Sequence, residues 1–233
     1  MGKIETKIQP DYKESFYSTY ARRYSEVSHQ FLQSVYKESS HPDLKGDVSL
    51  HGRLKELTKG ERGLDAGCGA GARDVYAFWK EDFDMWGFDA VKENIELVTE
   101  LHPEIRDRVF VHDLSHPLSF EDNYFDFAMC NAVIQHLDPG DVYGTVIPEF
   151  ARVIRPNGVL QLMFKSGTGI DTIYDKDYGV DRHFRLYEDK NILEAAESAG
   201  MSLIEEDGKA MGGVMSFVDP KNSRHSVMFL RNA

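Results

Sequence analysis

The stretch Leu64–Asp74, LDAGCGAGARD, constrains the fold more tightly than any other part of the chain. Gly67, Gly69 and Gly71 stand at alternate positions behind a short apolar strand end and ahead of a helix-forming segment. A residue without Cβ lets the backbone turn sharply and approach a bound group closely. A strand that passes into a helix through such a loop opens many doubly wound α/β domains. The spacing predicts that a ligand occupies the space the missing side chains leave. GCGAGA also satisfies the G-x-G-x-x-A dinucleotide fingerprint, and a tight strand–helix turn without a ligand is the plainer alternative.

Downstream the pattern alternates. Strands are predicted at 61–66, 84–89, 108–113, 125–131 and 158–165, with helices at 72–80, 92–101 and 140–153. A helix at 190–199 follows, then strands near 201–206 and 225–231 that could pair antiparallel. Pro148 lacks an amide donor and should kink or restart the 140–153 helix. Repeated strand–helix alternation implies parallel strands with right-handed crossovers, an α/β, Rossmann-like three-layer α/β/α sandwich. The 233 residues fit one domain, with residues 1–58 as a helical extension and 59–233 as the core. In the extension Phe16, Tyr20, Tyr24, Val27, Phe31 and Val35 recur at steps of three and four, predicting helix over about 14–37 with one aromatic face. That face either packs on the core or forms a lid that sets Tyr17 or Tyr20 over a substrate. Residues 166–187 read as a long irregular loop, a usual place for function.

A net charge of −12 disfavours a nucleic-acid partner. No run suits a membrane span or signal peptide, so the chain is expected in the cytoplasm. MGKIET fits the loose myristoylation pattern but lacks a polybasic neighbour. Cys68 and Cys130 are too few for a disulfide framework and are expected as free thiols.

Beyond the glycine loop, WGFDA ends the second strand with Asp89. A carboxylate at that position can accept both hydroxyl protons of a ribose. With Asp65 two residues before the first glycine, VHDLS at Asp113, FDFAMCNAVIQHL, EFARVIRPNGVLQL and DRHFRLYEDKNILEAAESAGM in order, the chain resembles the class I S-adenosylmethionine-dependent methyltransferases. The resemblance is good over 60–165, weaker over 181–232 and poor over the first 50 residues. It implies a seven-stranded, mostly parallel sheet of order 3-2-1-4-5-7-6 with strand 7 antiparallel. It also implies S-adenosylmethionine as cofactor and S-adenosylhomocysteine as product. The cofactor would be held by Asp65, Gly67, Cys68, Gly69, Gly71, Asp89, Ala90, Asp113, Leu114, Asn131 and Ala132.

The reaction so implied is an in-line displacement by an N, O, S or C nucleophile of a small-molecule acceptor. His136, after the fourth strand, is the candidate base if the nucleophile arrives protonated; it could equally hydrogen-bond a loop backbone, with Gln135 as an orienting donor. Asp171, Asp175, Asp177 and Asp181 do not match the EF-hand pattern and read as a solvated acidic loop, with no metal expected. They could also recognise a cationic substrate, whereas Arg182, His183 and Arg185 suit a carboxylate or phosphate; the acceptor's charge stays open. Three rivals remain. A wobble-uridine tRNA methyltransferase shares the motif set, although N-P-P-Y is absent. A non-catalytic S-adenosylmethionine-binding protein needs no further residue. A nicotinamide-dependent oxidoreductase would use the glycine loop and ribose acid, but Tyr76 and Lys80, the only Tyr-x-x-x-Lys spacing, lie at the wrong end of the site.

Overall fold

The computed structural model describes residues 10–31 and 35–233. The MGKIET pattern lies outside these residues. Helix α1 (Pro10–Phe31) and α2 (Asp47–Leu57) precede β1 (Arg62–Ala66), α3 (Arg73–Trp79), β2 (Asp84–Asp89), α4 (Lys92–Leu101), β3 (Val109–Val111) and β4 (Phe125–Asn131). Then come short α5 (Pro139–Asp141), a wide π turn (Val142–Val146), α6 (Ile147–Val153) and β5 (Ile154–Lys165). A hairpin of β6 (Ile170–Asp175) and β7 (Val180–Arg185) leads to α7 (Asp189–Ser198), β8 (Met201–Leu203), β9 (Met215–Val218) and β10 (Arg224–Asn232).

The main sheet runs β3-β2-β1-β4-β5-β10-β8, with β9 added against β10. β1 to β5 are mutually parallel, and β10 is antiparallel to β5, β8 and β9. This is the expected order, with one strand more. Alternation along the strands makes the sheet the middle of three layers. In β4, Ala128 and Cys130 face a core completed by Ile147, Phe150 and Ile192, while Phe127 and Met129 face one completed by Leu54, Phe78 and Val98. A parallel sheet covered on both faces reads as a continuous apolar run, and only Asn131 of β4 escapes burial. Each such side chain contributes about 1.5–3 kcal/mol by leaving water.

Three expectations change. The segment 166–187 is not irregular: β6 and β7 pair antiparallel from Ile170↔Arg185 to Asp175↔Val180, closed by Gly179 at φ +70°. Thr172, Ile173 and Tyr174 favour a strand, but punctuation by Asp and Gly hides it. The second change concerns the aromatic face of the extension, which ends earlier than its periodicity suggests. Phe16 and Val27 are buried, whereas Val35 is outside helix and 71% exposed. Third, a short strand, β9, lies between the two strands predicted near 201–206 and 225–231. Near Pro148 the predicted helix is interrupted and restarts: a π turn, with the Ile147 amide reaching Val142 O, precedes α6, whose first turn holds the proline where its missing donor is not needed.

Candidate active site

The carboxyl ends of β1, β4 and β5 open into a cavity of about 210 Å³ between the glycine loop, α1, the β6–β7 hairpin and the β9–β10 segment. This is where open α/β sheets bind ligands, because the strand order reverses between β1 and β4 and leaves a crevice there.

The glycine loop is folded from behind: the amides of Gly67 and Cys68 both donate to Phe88 O at 2.8 Å. Asp89 then ties the loop to the second crossover, accepting from Gly69 N (3.0 Å), Val91 N (2.9 Å) and Asn94 Nδ2 (3.0 Å). Gly67, Gly69 and Gly71 have φ of +80°, +66° and +90°, which L side chains rarely adopt. The space beside them is not left to a ligand as expected. A Cβ on Gly67 would lie 2.4 Å from Val133, on Gly69 3.2 Å from the Tyr24 ring, and on Gly71 2.6 Å from Ser25 Oγ. Helix α1 therefore packs directly on the loop, and Ser18–Glu93 and Arg22–Glu100 bonds dock it on α4. Gly67, Cys68 and Gly69 still line the cavity, and Gly71 does not.

Two acids face each other across this end. Asp74 is held by Arg73 (2.7 and 3.0 Å) and by His51 at 3.5 Å. Burial would raise its carboxyl, but Arg73 and His51 hold it far below the usual range. The Arg73 guanidinium also donates to Asp47 Oδ2 and Ser28 O. Asp65 is buried at 4% exposure, lines the cavity and makes no side-chain hydrogen bond among the described residues. Burial first, and Asp74 second, push its carboxyl well above the ordinary value. An unpaired buried acid is expensive, and this one lies beside the loop.

At the end of β4, Asn131 Oδ1 accepts from Gln161 Nε2 (2.9 Å), and Ala132 sits at φ +59°, strained for a residue with a Cβ. Gln135 is buried and anchors the end of β5, accepting from Lys165 N at 3.0 Å. His136 bonds through Nε2 to Tyr17 Oη at 2.9 Å, and Arg182 donates to the same oxygen at 2.5 Å. Burial pushes the Tyr17 phenol up, so it stays protonated at neutral pH.

The far wall is built from ion pairs. Asp175 accepts from Lys221 (2.9 and 3.0 Å) and from Arg182 (3.2 Å). It is 5% exposed, so the solvated acidic loop is corrected at this residue: the hairpin turns Asp175 inward, between Arg182 of its own β7 and Lys221 from the segment before β10. Among the described residues no three His, Cys, Asp or Glu side chains gather as metal ligands. His225 bonds Asp219 at 3.1 Å and stacks on Phe217, which stacks on Tyr36.

The structure brings Tyr17, Asp65, Gly67, Cys68, Gly69, Asn131, Ala132, Gln135, His136 and Arg182 onto one cavity. It leaves others off. Tyr20 packs on Phe16 and Tyr178 instead. His183 points to the opposite face of the hairpin from Arg182 and Phe184, as strand alternation requires, and bonds Thr172 at 2.8 Å. Arg185 pairs with Asp138. Asp89, exposed Ala90, exposed Asp113 and buried Leu114 follow the tips of β2 and β3, outside the cavity wall. The Asp113 carboxylate takes the Ser115 amide and hydroxyl. Cys68 and Cys130 are free thiols, both raised by burial. Lys165, Asp219, Lys221 and His225 were not singled out by sequence. The one local signal was a lysine closing the apolar run VLQLMFK.

Residues 64–162 match the family model described as a methyltransferase domain. No curated protein matches the chain in sequence. Among solved structures it is similar to the 1,6-didemethyltoxoflavin-N1-methyltransferase of Burkholderia thailandensis, solved with 1,6-didemethyltoxoflavin and S-adenosylhomocysteine: TM-score 0.67, 18% identity, 99% of this chain and 93% of that one. A TehB-like S-adenosylmethionine-dependent methyltransferase from Corynebacterium glutamicum gives TM-score 0.62 at 20% identity, over 94% and 99% of the chains. The [4+2]-cyclase SpnF gives 0.64 at 16% identity, over 94% of each. At these identities the likeness is one of fold.

Proposed function

We propose, on the premise that this chain belongs to the class I S-adenosylmethionine-dependent methyltransferases, that it moves a methyl group onto a small-molecule nucleophile in the cavity behind α1. The observation that carries the reading is Asp65: a buried acid with no side-chain hydrogen bond among the described residues, at the glycine-loop end of the cavity, where its carboxylate suits a cationic group. That is the donor chemistry expected for the amino-acid end of S-adenosylmethionine. When bound, the cofactor supplies an electrophilic methyl on a sulfonium and leaves as S-adenosylhomocysteine.

The chain's own task is to hold and orient. Asp65, Gly67, Cys68 and Gly69 would hold the amino-acid end, Asn131 and Ala132 would flank the reacting end, and Asp89, Ala90, Asp113 and Leu114 would serve the nucleoside along the tips of β2 and β3. Positioning alone supplies much of the rate in such displacements, up to about 7–11 kcal/mol. Helix α1 acts as the lid and excludes water from the nucleophile. His136 is the proton acceptor where one is needed. Tyr17 Oη, which accepts from Arg182, also bonds His136 Nε2, so an entering acceptor competes with Tyr17 for that nitrogen. In the tautomer with the proton on Nδ1, Nε2 is the basic nitrogen and Tyr17 donates to it.

Calorimetric titration with S-adenosylmethionine, S-adenosylhomocysteine and NAD tests the premise, and a metabolite-extract screen with labelled methyl donor tests transfer. Preference for NAD, or binding of the donor without labelled product, would refute one or the other.

A further inference from the structure

Lys165 closes β5 inside the cavity and is 5% exposed. Its Nζ makes no hydrogen bond or ion pair among the described residues and lies 4.5 Å from the Phe184 ring centroid. The other cations of the cavity are matched by acids: Arg73 by Asp74 and Asp47, Arg182 by Asp175, Lys221 by Asp175 and Asp177. A ring face compensates only part of an ammonium's lost hydration. Asp219 and Asp171 act on Lys165 from a distance, against Arg182 and Lys221, and burial dominates, lowering it to about 8.

Its place in the fold assigns it to the acceptor. Met163 pairs in register with Asn131 at the tip of β4, and Lys165 lies two residues further out, opposite His225 of β10. The unpaired acid, Asp65, lies at the glycine loop, so the unmatched charges of the cavity differ in sign from one end to the other. Beside Lys165 stand the Phe184 ring and His225, which bonds Asp219 and stacks on Phe217, itself stacked on Tyr36, with centroids 5.2 and 3.7 Å apart; Tyr178 and Met163 line the same cavity.

We propose that the methyl acceptor is a flat aromatic ring bearing an oxyanion, a carboxylate or an ionised ring hydroxyl, and that Lys165 is the residue that pairs with it. This rests on the methyl-transfer reading, and it names the substrate class for that site.

The test titrates benzoate and 4-nitrophenolate, beside uncharged benzamide and 4-nitroanisole, into full-length protein saturated with S-adenosylhomocysteine. The wild type should bind at least one anion about tenfold or more tighter than its uncharged counterpart. Lys165→Met should erase that preference and Lys165→Arg should retain part of it. Preference for benzoate alone identifies the carboxylate, and for 4-nitrophenolate alone the ionised hydroxyl. Equal binding of charged and uncharged probes, no binding of either anion at millimolar concentration, or an unchanged preference in Lys165→Met overturns the proposal. S-adenosylhomocysteine is titrated first: its failure to bind removes the methyl-transfer reading, while the anion comparison without it still reports on Lys165.

Discussion

Replacing Asp65 by asparagine should act in opposite directions on the empty and the loaded protein. Asp65 is 4% exposed without a side-chain hydrogen bond among the described residues, with Asp74 as its like-charged neighbour. Arg73 is the nearest opposing charge, and its donors go to Asp74, Asp47 and Ser28 O. Because burial and Asp74 raise the folded-state carboxyl well above 3.8, the native state holds this proton more tightly than the unfolded chain does. Its stabilising contribution is complete below the unfolded value and lost as pH rises through the folded one. At neutral pH the wild type therefore carries a cost that Asp65→Asn removes, on the order of 1 kcal/mol from the penalty of a buried unmatched polar group. For a chain of this size that corresponds to a rise in Tm of about 2–4 °C. The loaded protein loses a charge-assisted contact of about 1.5–3 kcal/mol, so S-adenosylhomocysteine should bind roughly 10- to 150-fold more weakly. Differential scanning calorimetry of the ligand-free protein from pH 5 to 8 and calorimetric titration of the ligand measure the two effects. A lower Tm for the ligand-free variant, or ligand affinity within twofold of wild type, would refute the assignment of Asp65 as an acid awaiting a cation.

Other substitutions probe the remaining links. Asp89→Ala removes acceptors for Gly69 N, Val91 N and Asn94 Nδ2, so chemical denaturation should show a loss of about 1–3 kcal/mol alongside weakened donor binding; Asn94→Ala, which removes one of the three, should show a smaller loss of both. Tyr17→Phe deletes the hydroxyl that joins Arg182 to His136, and the pH profile of turnover should shift while S-adenosylhomocysteine affinity holds; an unmoved profile would leave His136 a packing residue. Gly71→Ala puts a Cβ 2.6 Å from Ser25 Oγ at φ +90°, which should cost about 1–2 kcal/mol and loosen α1, read as faster limited proteolysis within Pro10–Phe31. Burial pushes Asp175 up, but Lys221 and Arg182 hold its carboxyl below 3.8. Its contribution is present above that value and fades as pH falls through the lower folded one, so the stability gap between wild type and Asp175→Asn, measured by urea melts, should narrow below about pH 4.

What the residues alone made legible was the part of the molecule governed by short range. The strands at 84–89 and 125–131 and the helix at 92–101 coincide with β2, β4 and α4, because runs buried on both faces and helical periodicity are written in consecutive residues. The glycine loop and Asp65 were equally visible, since a tight turn leaves its mark on the residues that make it. The hairpin of β6 and β7 escaped because neither strand is buried along a whole face, so no alternation betrayed it. Only tertiary structure put Ser25 and Tyr24 of α1 where the glycines lack side chains, and only it separated Arg182, on the cavity, from His183, off it. The same holds for Lys165. Whether a lysine at a strand end is solvated, paired or stranded depends on Asp175, Arg182, Asp219 and Lys221, which arrive from segments 10 to 56 residues away. Charge compensation is a property of that long-range assembly, and no local pattern encodes it.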